Sequence, residues 1–179
     1  MIDELDKKDI GLAYVYFSYQ DQDHQSPTNV IASILRQLAV RMDELVPEIY
    51  ALHKKLHARG SRPDLSKLVD CIISSATAFS STYVIIDAID ASDKSQRPEL
   101  LKAIHQLSDG SIKVFVTGRP NLQDVNEFIQ NISNIVSIPI YADIDDLKNY
   151  IKREICQRNL SKTIEDKLTD KLSIQADGV

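Results

Sequence analysis

The sequence predicts an α/β fold in which helices pack on a mainly parallel sheet. Three observations predict it: short runs rich in aromatic and β-branched residues, amphipathic stretches at helical spacing between them, and polar exits from each run. Each run is too short for a helix and is followed by a turn signal before the helical spacing begins.

"GLAYVYFSY", residues 11–19, reads as the first strand, and its near-continuous apolar character predicts cover on both faces. "QDQDHQSPT" ends it. Ser26 followed by Pro27 marks a helix start, and Val30, Ile31, Ile34, Leu35 and Leu38 recur on one stripe to about Arg41. A second helical pattern runs from about Met42 to His57, with Leu45, Ile49, Leu52 and Leu56 in register, and "ARGSRPD" interrupts it. From Asp64 the spacing resumes through Leu65, Leu68, Val69, Ile72 and Ile73.

"TYVIIDAIDAS" supplies the second strand over 82–87. After the turn "DASDKSQRP", the stretch "ELLKAIHQLSDG" is a helix closed by Gly110. "IKVFVTGRP" is the third strand, "NLQDVNEFIQNI" a helix and "NIVSIPI" a fourth strand. "DIDDLKNYIKREICQRN" and "SKTIEDKLTDKLSIQA" complete the pattern as two helices.

Composition narrows the function classes. The 179 residues are 43% hydrophobic, which supports a sizeable core and one globular unit rather than two. A net charge of −5 gives no general attraction to nucleic acid or to anionic membranes, and no cluster of Arg and Lys interleaves with aromatics. Cys71 and Cys156 lie far apart in helical segments, so reduced thiols are expected rather than a zinc clip or redox pair. No apolar run approaches the ~20 residues of a membrane span. The acidic start "MIDELDKKD" has none of the character of a signal peptide, and a soluble cytoplasmic protein is the expectation.

Ligands of open parallel sheets bind outside the carboxyl ends of the strands, so the polar residues there carry the chemistry. The second strand ends in Asp87 with Asp90 beyond it, and the third ends in Thr117, Gly118 and Arg119. A carboxylate at a strand end can hold Mg²⁺, which in turn neutralises phosphate oxygens, and an arginine nearby can meet a terminal phosphate with planar donors. The bland alternative is a turn-forming Asp and a solvated Arg.

The ordered set "YVYFSYQDQDHQSPTNVIASILRQLA", "TYVIIDAIDAS", "IKVFVTGRP" and "ADIDDLKNYIKREI" resembles the nucleotide-binding domain of NACHT-type NTPases of the STAND class, especially in fungal signalling proteins with long C-terminal repeat arrays such as ankyrin repeats. The resemblance covers nearly all of 11–179, with 1–10 as an N-terminal tail. It implies a three-layer P-loop NTPase-like core. It also implies that Asp87 is the Walker B aspartate that positions Mg²⁺, Asp90 the second acid near the attacking water, Arg119 the sensor and Thr117 its hydroxyl neighbour. ATP or GTP with Mg²⁺ would be the ligand of the intact domain, acting as a switch for signalling.

Two departures alter the expectation. Ala91 stands where the family has a glutamate, which removes a carboxylate that orients water and puts hydrolysis in doubt. No G-x-x-x-x-G-K-[ST] loop occurs, so the main phosphate cradle is missing and this chain alone is not expected to bind nucleotide tightly. By the resemblance that loop and its strand lie upstream, so the chain is expected to be a piece cut at both ends. The family's strand order of five, one, four, three, two would then leave an apolar edge on "IKVFVT", predicting self-association or a protein partner there.

A catalytically inert interaction module on the same fold is the rival reading. A toprim-like Mg²⁺-dependent nuclease site also uses acids at strand ends, but it requires a further glutamate at an earlier strand end, and none is evident. His53 and His57 share a helix face without a third ligand, and Ser74, Ser75, Ser80 and Ser81 lack a nucleophile elbow. Asp143, Asp145 and Asp146 suit the start of a helix through its dipole, with no ligand required.

Overall fold

A computed structural model describes residues 9–60, 63–119, 122–130, 135–140 and 144–156, with isolated positions at 162, 167–168 and 171–172. The chain divides into two compact units, Met1–Ser133 and Asn134–Val179. The first contains strands β1 (Ile10–Tyr16), β2 (Ser81–Asp87) and β3 (Lys113–Val116), and helices α1 (Pro27–Arg41), α2 (Pro47–Arg59), α3 (Leu65–Ala76), α4 (Arg97–Asp109) and α5 (Gln123–Gln130). The second contains helix α6 (Ile144–Cys156).

The strands form one parallel sheet in the order β1-β2-β3, with Ala13 opposite Val84 and Val84 opposite Val114. The architecture is that of a partial P-loop-like α/β core. One sheet face, carrying Ala13, Val84 and Ile86, joins a core with Ile31, Ile34 and Leu38 of α1, Ile72 of α3, and Leu100 and Leu107 of α4. The expected cover of the first strand on both faces does not occur throughout: Tyr14 and Tyr16 on the other face are 43% and 54% exposed. Tyrosine tolerates this position because its ring is apolar and its hydroxyl wets readily.

Side chains bond much of the outer edge of β1, and among the described residues no further strand pairs there. Gln37 accepts from Tyr14 N at 3.0 Å and donates to Tyr14 O at 2.9 Å, so its amide completes the ladder as a backbone peptide would. Gln25 does the same further along, donating to Tyr16 O and accepting from Ser18 N, and Arg41 Nε donates to Ile10 O. An edge satisfied in this way offers little to a further strand. β3 is paired through β2 alone among the described residues, and Phe115 and Val116 are 45% and 41% exposed.

Helix α1 begins as read, with Ser26 Oγ accepting from Asn29 N and Pro27 in the first turn. Helix α2 begins at Pro47, not near Met42. Val46 is extended ahead of it, as a residue before proline prefers, and Leu45 is thereby left off the stripe and exposed. Helix α4 starts at Arg97, inside the stretch read as a turn, with Pro98 in its first turn. Its C-cap Gly110 is not left-handed, since that role falls to Ser111 at φ 66°. Glycine is required there for space, because a Cβ would lie 2.7 Å from Ile73 Cγ1.

The expected fourth strand does not form over its described residues: 135–140 adopt no regular structure, and Val136, Ile138 and Ile140 are more than 70% exposed. A β-branched run becomes a strand only when a neighbour completes its ladder, and Pro139 removes one donor. Asp145 and Asp146 occupy the first turn of α6, as its dipole favours. Asp143 and most of the last expected helix lie outside the described residues. No helix among the described residues is long and apolar enough to cross a membrane. Cys71 is buried, which, with Asp70 and Glu48 nearby, pushes its thiol pKa up and keeps it protonated.

Candidate functional site

Parallel pairing puts the ends of β2 and β3 side by side, and the sequence-predicted residues meet there. Thr117 follows β3 and donates its backbone N–H to Ile86 O at 2.9 Å, extending the ladder by one step. Its hydroxyl donates to Asp87 Oδ1 and accepts from Ala88 N at 3.0 Å. Thr117 O accepts from Ile89 N at 3.0 Å. These bonds fix the first turn after Asp87.

That turn is tight. Ala88 is left-handed at φ 55°, a costly conformation for alanine, and residues 89–91 form a single helical turn. Gly118 lies against it so closely that a Cβ would sit 2.7 Å from Ile89 Cγ2. The turn lifts Asp90 toward the exits of both neighbouring strands. Asp90 Oδ2 accepts from the Tyr19 hydroxyl at 3.1 Å, and Oδ1 accepts from Arg119 N at 3.3 Å. The Arg119 guanidinium reaches Oδ2 at 3.4 Å while its side chain remains 73% exposed. Asp90 therefore joins the exits of β1 and β3, with its carboxylate 9% exposed.

The sequence places Arg97 in a polar turn, and in the structure it is the buried charge of this region at 4% exposure. Its Nε donates to Ser92 Oγ at 2.9 Å, its Nη2 to Ser92 O at 2.8 Å and to Asp90 O at 3.1 Å, and its Nη1 to Asp124 Oδ2 at 2.9 Å. A cation in the first turn of a helix opposes the helix dipole, and this was the one signal in the sequence that it needed partners. Gln22, which no sequence pattern singles out, donates to Ala91 O at 2.8 Å. Nearby, the Ser95 hydroxyl and N–H hold the Asp93 carboxyl below its usual range.

Among the described residues no group of His, Cys, Asp and Glu side chains forms a complete metal shell. The strand ends offer a hard cation one carboxylate, that of Asp87, at the end of β2. The rings of His53 and His57 lie tilted beside each other on α2, with centroids 6.2 Å apart.

A family model described as Nephrocystin 3, N-terminal matches residues 1–119, well over half of the chain. The chain belongs to the nephrocystin 3 N-terminal family. No curated protein matches it. The nephrocystin 3 N-terminal match takes in all three strands and ends on Arg119, so Asp87, Asp90, Thr117 and Arg119 all fall within the family's span.

Proposed function

We propose that this chain carries the metal-positioning and sensing half of a nucleotide-dependent switch of the NACHT type. The observation that carries the reading is the meeting of Asp87, Thr117, Asp90 and Arg119 at the carboxyl ends of adjacent parallel strands. In this reading Asp87 would hold Mg²⁺, and the exposed Arg119 guanidinium would meet a terminal phosphate. Mg²⁺ would supply charge neutralisation for the phosphates. Asp90 is already engaged by Tyr19 and Arg119, and Ala91 adds no second carboxylate, so both features support a switch that hydrolyses ATP or GTP poorly.

The sequence contains no phosphate-cradling loop, and that governs the test. A fluorescent ATP analogue is titrated, with and without Mg²⁺, into this chain and into a longer chain that joins a G-x-x-x-x-G-K-[ST] strand-loop-helix ahead of residue 1. The expected outcome is no micromolar binding by the chain alone and Mg²⁺-dependent binding by the longer form, weakened at least about ten-fold by Asp87→Asn. Mg²⁺-dependent micromolar binding by the chain alone would show that the missing loop is not decisive. Indifference of the longer form to both Mg²⁺ and Asp87→Asn would remove the site.

A second reading, an inert interaction module, is favoured by one feature. The face bearing Tyr14, Tyr16 and Phe115 presents exposed apolar side chains, and among the described residues β3 pairs with β2 alone.

A further inference from the structure

We infer that Arg97 is a positioning residue that couples α5 to the Asp90 turn, so that the placement of α5 sets how Asp90 faces Arg119. This deepens the proposed switch, since it concerns the same site, but its geometry stands without nucleotide.

The guanidinium is planar, and its donors are spent in two directions. Nε and Nη2 read the turn after β2 through Ser92 Oγ, Ser92 O and Asp90 O, while Nη1 reads Asp124 on α5. Ser92 Oγ in turn donates to Ile89 O at 2.6 Å, so the turn is held from both ends. Helix α5 is the next described element after Arg119; Leu122, which precedes it, and its own Val125 and Phe128 pack against the core. Arg97 thus bridges the acid-bearing exit of β2 to the helix that follows the arginine-bearing exit of β3.

Burial makes the bridge demanding. The Arg97 side chain is 5% exposed and Asp124 25%, so the charge of Arg97 is compensated chiefly by one carboxylate and three loop acceptors. Loss of the carboxylate leaves a buried cation that must relax, and its remaining bonds all go to the Asp90 turn. Lysine cannot replace it, because a single ammonium does not supply a rigid fork to acceptors on two elements.

Amide hydrogen exchange on the full chain tests this without any ligand. The Arg119 amide donates to Asp90 Oδ1 and therefore reports the position of Asp90, while the Ile86 amide in the central strand reports global opening. In Arg97→Lys and in the milder Asp124→Asn, Arg119 exchange is expected to rise about ten-fold or more relative to Ile86, as loss of a charge-assisted bond implies. Asp124→Glu, which keeps the charge, should restore much of the protection. Equal acceleration of both amides, or an unchanged ratio in Asp124→Asn, would reduce Arg97 to a structural support and overturn the inference. Should the nucleotide titration fail while the exchange ratio shifts, the switch reading falls and the coupling remains.

Discussion

At the scale of single residues, Thr117 joins the two strand ends more directly than any ionised group. Its hydroxyl bridges Asp87 and Ala88 N, and Ala88 holds a left-handed backbone that alanine seldom adopts unaided. Thr117→Val keeps the shape and removes both bonds. The expected cost is about 1 kcal/mol, since the site is partly wet, and Thr117→Ser should recover most of it. Urea denaturation of the three proteins checks this, and an unchanged midpoint in the valine variant would count against the bridge. Asp87 and Thr117 were legible because each ends an apolar run, whereas Tyr19 and Arg97 act across 71 and 27 positions on Asp90 and Asp124. No local pattern carries such separations.

At the scale of elements, hydrophobic spacing decides the helices and neighbours decide the strands. The stripe Val30, Ile31, Ile34, Leu35 and Leu38 is buried as one face of α1, and that helix was readable to within a residue. Leu107 on α4 is fully buried, while Val40 on α1 is 79% exposed. Leu107→Ala is expected to destabilise by about 2–5 kcal/mol through lost burial and the cavity left behind. Val40→Ala should stay within about 0.5 kcal/mol. Chemical denaturation of both variants measures the contrast, and similar losses would mean that α4 does not anchor the core as described. The run at 135–140 has strand composition without strand structure, because composition cannot provide the partner that a ladder requires.

At the scale of the molecule, the two sides of the sheet differ in how they meet solvent. Gln25, Gln37 and Arg41 bond edge groups of Ile10, Tyr14 and Tyr16 on β1, while Phe115 and Val116 stand half-exposed on β3. We expect the purified chain to self-associate reversibly, with weaker association in Phe115→Lys, which places a charge among the exposed side chains of β3. Sedimentation velocity across a concentration series tests this. A chain that stays monomeric throughout would show that Tyr14, Tyr16 and Phe115 are tolerated as wet surface.

By itself the sequence determined the parallel α/β class, most helix faces and the strand ends where Asp87, Asp90, Thr117 and Arg119 fall, because burial periodicity and turn chemistry are written locally. Only the tertiary structure decided that Gln37 stands in for a strand at β1, that Asp90 is shared by Tyr19 and Arg119, and that Arg97 is a buried bridge. Those outcomes depend on hydrogen-bond partners distant in sequence, and a buried polar group accepts whichever partner the packing brings within reach.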